Sequence, residues 1–161
     1  MGSPHAPVEV VVSPSRPEIA RVTGGPRGDL DGALSIVRDG LLADAAGPGR
    51  GAALCAGLRR LRTDLSAHVA ATEGPGGLYE EIRRADPRFC HVVRRLRDEH
   101  ARLGHVLDEV LGGLTFAPGE PEVWSRLRPR VLDLLVSVRL HRGRDMRLAY
   151  EAVAIDLGGQ G

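Results

Sequence analysis

The 161-residue sequence predicts an all-α protein, an up-down-up-down four-helix bundle preceded by an irregular N-terminal arm. Three observations point to that class. Apolar residues recur at alternating steps of four and three along four segments, Gly- and Pro-rich turns bound those segments, and strand-like alternation is absent outside the arm. A chain of this length is one ordinary domain with a real core, and helices joined by short connections favour an up-down bundle. The division along the chain is therefore an arm over 1–28 and a bundle over 29–161.

The arm holds Pro4, Pro7, Pro14, Pro17 and Pro26, a density that forbids a long helix and leaves room for one strand-like piece at Val8 to Val12. From Asp29 to Ala46, Leu30, Leu34, Val37 and Leu41 mark the first amphipathic helix, closed by Gly47-Pro48-Gly49. The second runs from Gly51 to Thr72 on the stripe Leu54, Leu58, Leu61, Leu65, His68, Thr72, and Gly74-Pro75-Gly76-Gly77 stops it. A short helical segment, Leu78 to Ala85, leads to Pro87, whose missing N–H suits the first turn of the third helix. That helix carries Phe89, Val93, Leu96, His100, Leu103, Leu107 and Val110 and is expected to end at Gly112-Gly113. The fourth spans Glu122 to Asp156 with Leu127, Val131, Leu134, Val138, His141, Asp145 and Leu148 on its stripe.

Net charge is +1, from 22 basic and 21 acidic residues, so no overall field recommends nucleic acid or an anionic membrane as partner. Every basic residue is Arg, and Arg59-Arg60, Arg83-Arg84 and Arg94-Arg95 read as solvated helix faces. No stretch approaches the ~20 apolar residues needed to cross a bilayer, and the N-terminus lacks the order of a secretory signal, so a cytoplasmic location is expected. Cys55 and Cys90 form no Cys-x-x-Cys motif and read as small buried residues beside stripe positions.

Three of the six histidines sit on apolar stripes, each on a different helix. A stripe position faces the core, and a buried imidazole without a partner forfeits roughly 1–3 kcal/mol. A shared metal ion accounts for His68, His100 and His141 together, because neutral imidazole is the commonest protein ligand and helical bundles build such sites from inward-facing side chains. Asp145 lies four after His141, about 40° around the helix, so both reach one ion from one face. Glu73 is five after His68, about 140° off the stripe, and joins only if the helix end loosens into a wider turn. His91 and His105 are off-stripe and expected at the surface, as is His5 in the arm; Tyr79, Trp124 and Tyr150 read as packing aromatics. A mixed His and carboxylate set suits iron, manganese or zinc. Aromatic content of 3% and the absence of a Cys-x-x-Cys-His motif argue against haem.

The run His68-Val-Ala-Ala-Thr-Glu73, then Gly74-Pro-Gly-Gly-Leu-Tyr79, Glu99-His100 within Leu96 to Leu107, and His141 with Asp145, resembles the hemerythrin-like (HHE cation-binding) domains over roughly residues 28 to 160. The resemblance implies a four-helix bundle with a non-haem iron pair that binds or processes O2, NO or peroxide, senses redox state or iron, or handles iron for repair. It also implies, by position, that His68, His100 and His141 are ligands and that Asp145 and Glu73 are bridging carboxylates. Two departures stand out. The family's further histidine from the first helix has no counterpart among Leu30, Leu34, Val37 and Leu41, with Asp31 and Ser35 about 100° away, and Glu73 is one residue late for the commonest spacing. One or two iron ions, a degraded mononuclear site, and a structural zinc or metal-free bundle that binds a protein partner or a second copy all remain open on the sequence.

Overall fold

Asp29 opens the first helix, α1 (Leu30–Leu42), by accepting the backbone N–H of Gly32 on Oδ1 at 2.8 Å, the side-chain cap that an orphan N-terminal donor requires. The computed structural model describes residues 29–42, 50–116 and 121–158; the arm, with its expected strand-like piece and His5, and the expected last turn of the first helix lie outside them. There follow α2 (Arg50–Glu73), the short α3 (Leu78–Ala85), a 3₁₀ turn (Pro87–Phe89), α4 (Cys90–Phe116) and α5 (Pro121–Gly158). The described residues contain no strand, and the four helices α1, α2, α4 and α5 pack as an all-α bundle. No helix among them is long and apolar enough to cross a membrane.

Packing follows the stripes. Every stripe residue of the second, third and fourth predicted helices is buried, as are Leu30, Leu34, Val37 and Leu41 on α1. These side chains form two apolar clusters. In the larger, Leu30, Val37, Leu54, Leu61, Leu107, Val131 and Val138 bring α1, α2, α4 and α5 together. In the smaller, Leu78, Tyr79 and Ile82 of α3 meet Phe89, Val93, Leu96, Leu148 and Ala152. α1 reaches α2 closely because glycines stand where the backbones approach: a Cβ on Gly40 would lie 3.1 Å from Leu54 Cα, and one on Gly57 3.2 Å from Val37 Cα.

Three local expectations need correction. Gly112-Gly113 do not end α4, which runs on to Phe116, because Gly113 faces α5 and a Cβ there would fall 2.9 Å from Leu127 Cδ1; the glycine serves helix contact instead of termination. Pro87 begins a 3₁₀ turn capped by Asp86, whose Oδ1 accepts the Arg88 N–H at 2.9 Å, and α4 starts only after it. Cys90 is exposed, since Phe89 takes the inward position at that junction, whereas Cys55 is half-buried against the larger cluster. The paired arginines at 59–60, 83–84 and 94–95 are all exposed, as expected.

Candidate metal centre

The histidines form a polar layer between the two apolar clusters. On α2, His68 follows Leu65 of the larger cluster; on α4, His100 lies between Leu96 of the smaller and Leu103 of the larger; on α5, His141 lies between Val138 and Leu148. The one-stripe spacing on three helices therefore puts all three side chains at one depth, each buried. Ring centroids are 5.0 Å apart for His68 and His100, 5.6 Å for His68 and His141, and 4.4 Å for His100 and His141. One ligand nitrogen from each falls within 4.8 Å of the others. Asp145 Oδ2 is 3.9 Å from His68 Nε2.

Carboxylates hold two of the rings from behind. Glu73 Oε1 lies 2.6 Å from His100 Nδ1, and Glu99 Oε2 lies 3.0 Å from His141 Nδ1. Arg97 donates to Glu73 Oε2 at 2.8 Å and Arg144 to Glu99 Oε2 at 3.1 Å. Burial alone would raise both carboxyls, but the hydrogen bonds from His100 and Arg97, and from His141 and Arg144, carry Glu73 and Glu99 below the usual carboxylate range. An ionised carboxylate only accepts, so Nδ1 of each ring carries the proton that Glu73 or Glu99 receives, and Nε2 is the atom left to ligate. For His100, burial also pushes the imidazolium below its ordinary range despite the Glu73 hydrogen bond, which keeps the ring neutral near pH 7.

That tautomer leaves the Nε2 atoms of His100 and His141 buried with no hydrogen-bond partner. Two such unsatisfied nitrogens cost about 1–3 kcal/mol each unless a partner meets them. A metal ion fits this donor set, and a carboxylate behind each ligating imidazole is the usual way its ring is oriented and made more basic. Nitrogens on one ion with bonds of 2.0–2.1 Å lie about 3.4 Å apart in a tetrahedral site, so closure asks for a side-chain adjustment of about an ångström.

The fourth wall comes from α3. Tyr79 stacks on His100 at 5.8 Å with planes 12° apart, and its hydroxyl donates to Asp145 Oδ1 at 2.9 Å. Burial first, and then the Asp145 carboxylate, hold this phenol far above its ordinary range, so it stays a donor. Asp145 thus has one oxygen fixed by Tyr79 and the other turned toward the histidines. Tyr79 and Glu73 also line a surface cavity of about 180 Å³ with Glu80, Arg83, Val93 and Arg97, which brings open space up to the residues that contact the imidazoles.

His68, His100, His141 and Asp145 are therefore brought together, while Glu73 sits behind His100 with both oxygens engaged. α2 stays helical through Glu73, and the wider turn expected there does not form, because the carboxylate reaches across to α4 from a regular helix. Sequence reasoning missed Glu99 and underrated Tyr79. Their signals were an acidic residue directly before a stripe histidine and a hydroxyl-bearing aromatic between the buried Leu78 and Ile82. Asp31 pairs with Arg142 and Ser35 accepts from Arg38 at 3.1 Å, so α1 gives the layer no polar group. His91 and His105 are exposed, as expected. Tyr150 is exposed and Trp124 packs beside the larger cluster. No family model, curated protein or solved structure matches the chain.

Proposed function

We propose that this chain is a hemerythrin-like, up-down-up-down bundle that holds one divalent transition-metal ion on His68, His100, His141 and Asp145, iron in its working form, and uses it to bind, sense or react with O2, NO or peroxide. The observation that carries the reading is the pair of buried imidazoles, His100 and His141, whose Nε2 atoms have no hydrogen-bond partner and whose Nδ1 atoms are fixed by Glu73 and Glu99. One ion is favoured over two because Glu73 is engaged on both oxygens by His100 and Arg97, Glu99 accepts from His141 and Arg144 on Oε2 with Oε1 3.6 Å from Arg95 Nε, and α1 turns only hydrocarbon to the core. Three imidazoles and one carboxylate oxygen leave positions open on an octahedral ion, and a surface cavity lies against Tyr79 and Glu73, the residues that contact His100. When bound, iron supplies the redox chemistry. The chain's own residues would hold the ion, keep the His100 imidazole neutral, and exclude bulk water with Leu65, Leu96, Leu103 and Val138. We place the protein in a reducing cytoplasm, where Cys55 and Cys90 persist as thiols.

A second reading is a structural zinc site, favoured by Asp145, which completes four ligands around a tetrahedral ion. The two part on one experiment. The chain is produced with iron(II) under low oxygen, its metal measured, and NO admitted. Retained iron and a new visible band support the first reading; zinc retained in place of iron, with no spectral change, supports the second. If neither metal is held, or if His141→Ala binds as much metal as the parent, both fail.

A further inference from the structure

α5 is apolar on two opposite sides. With about 100° per residue, Leu134, Val138, His141, Asp145 and Leu148 share the face turned to the core, whereas Leu132, Val136, Leu140, Met146 and Tyr150 fall within an arc of about 120° on the far side. Those five are among the exposed large apolar residues of the chain, from 41% exposed for Leu132 to 76% for Tyr150. They span Leu132 to Tyr150, 18 steps or about 27 Å of helix. The same arc also holds Arg139, Gly143 and Arg147, so the face is a mixed one; single exposed apolar residues are ordinary, but five gathered on the solvent side of one helix mark an interaction surface.

The order of the residues along the stripe identifies what fits it. Leu132 and Tyr150 are equally far from residue 141, and so are Val136 and Met146. An antiparallel copy of the same helix, related by a two-fold axis at that level, therefore sets Leu132 against Tyr150 and Val136 against Met146 in both directions, the self-complementarity of an isologous contact. Gly143, around which a Cβ would meet nothing within 4 Å, then stands opposite Arg139 and leaves room for it. Charge agrees as well: Asp133 at the edge of the arc and Arg147 just inside it, both exposed, come within a turn of each other across the axis.

We infer that the exposed face of α5 is a homodimer interface, in which two copies of this chain pair their α5 helices antiparallel about residue 141. The inference is independent of the metal reading, since none of its residues belongs to the buried layer. A stripe one helix wide falls short of the ~800 Å² per partner of a standard interface, so the dimer belongs to the weak, concentration-dependent class.

Light scattering on the full chain over a hundredfold concentration range tests this. The parent is expected to climb toward twice the 17.2 kDa of one chain, and Val136→Glu, at an exposed position, to remain monomeric with unchanged helicity. Register is tested in a Cys55→Ala, Cys90→Ser background. Leu132→Cys chains mixed with Tyr150→Cys chains should form a disulfide dimer, whereas Leu132→Cys alone, with its thiols about 27 Å apart, should not. A parent that is monomeric throughout, a Val136→Glu variant that still dimerises, or Leu132→Cys chains that cross-link with each other would overturn the proposal.

Discussion

Glu99 shows how much a single carboxylate decides in this site. It touches no lone pair of the layer, yet by accepting from His141 Nδ1 it determines which nitrogen is left to ligate. Glu99→Gln keeps the shape and loses the charge that fixes the tautomer, so metal affinity should fall about 10–100-fold, the usual cost of removing a partner behind a ligand, while the fold persists. A competition titration with a chromogenic chelator measures this, and an unchanged affinity would remove Glu99 from the account. The same residues set the pH behaviour of the metal-free protein. His100 is held neutral by burial, so below its ordinary value of 6.5 the unfolded chain takes up a proton that the folded chain refuses, and stability declines as pH falls. Above that pH both states are neutral there and the contribution is complete. Glu73 and Glu99, below their ordinary 4.5 when folded, add a loss of the same sign at lower pH. Urea midpoints of chelator-treated protein should therefore drop between pH 7 and pH 5, by at most about 1.4 kcal/mol per pH unit for each proton. A flat profile would show that His100 is not buried neutral.

The helices were the most legible part of the sequence, and the reason is physical. A 3.6-residue period with one apolar stripe has a single low-energy way to face a core, so 24 stripe positions, from Leu30 to Leu148, are buried as read. Glycine was less legible because its two uses, ending a helix and letting a neighbour come close, look alike in one dimension. Gly113 was read as a terminator and is a contact point with Leu127. The partners of the histidines were harder still: Glu73, Glu99 and Tyr79 act across helices, and stripe spacing says nothing about which off-stripe side chain reaches over. The glycines make a paired prediction. Gly112→Ala, where a Cβ meets nothing within 4 Å, should stabilise α4 by about 0.5–1 kcal/mol through helix propensity. Gly57→Val, against the α1 backbone, should cost about 1–3 kcal/mol by forcing α1 off α2. Thermal melts that move the two variants in the same direction would refute the close-approach role.

At the scale of the molecule, the polar layer divides the core into two apolar clusters and sets buried imidazole nitrogens without hydrogen-bond partners between them, where an ion would fit. Three of the four bundle helices contribute the histidines, with α3 closing the remaining side through Tyr79, so an ion at the layer would tie α2, α4 and α5 together. Binding to the folded chain alone adds stability by mass action, about 2.7 kcal/mol at a free metal concentration 100 times the dissociation constant. The melting temperature should rise with added iron(II) or zinc in the parent and stay fixed in a His68→Ala, His141→Ala double variant. A metal-dependent rise of equal size in that variant would place the ion elsewhere.

The most direct measurement is metal stoichiometry by anaerobic equilibrium dialysis of the chelator-stripped chain against iron(II). The arrangement of His68, His100, His141 and Asp145 predicts one ion per chain at saturation, lost in His141→Ala. A parent chain that binds none, or that binds two, would contradict it.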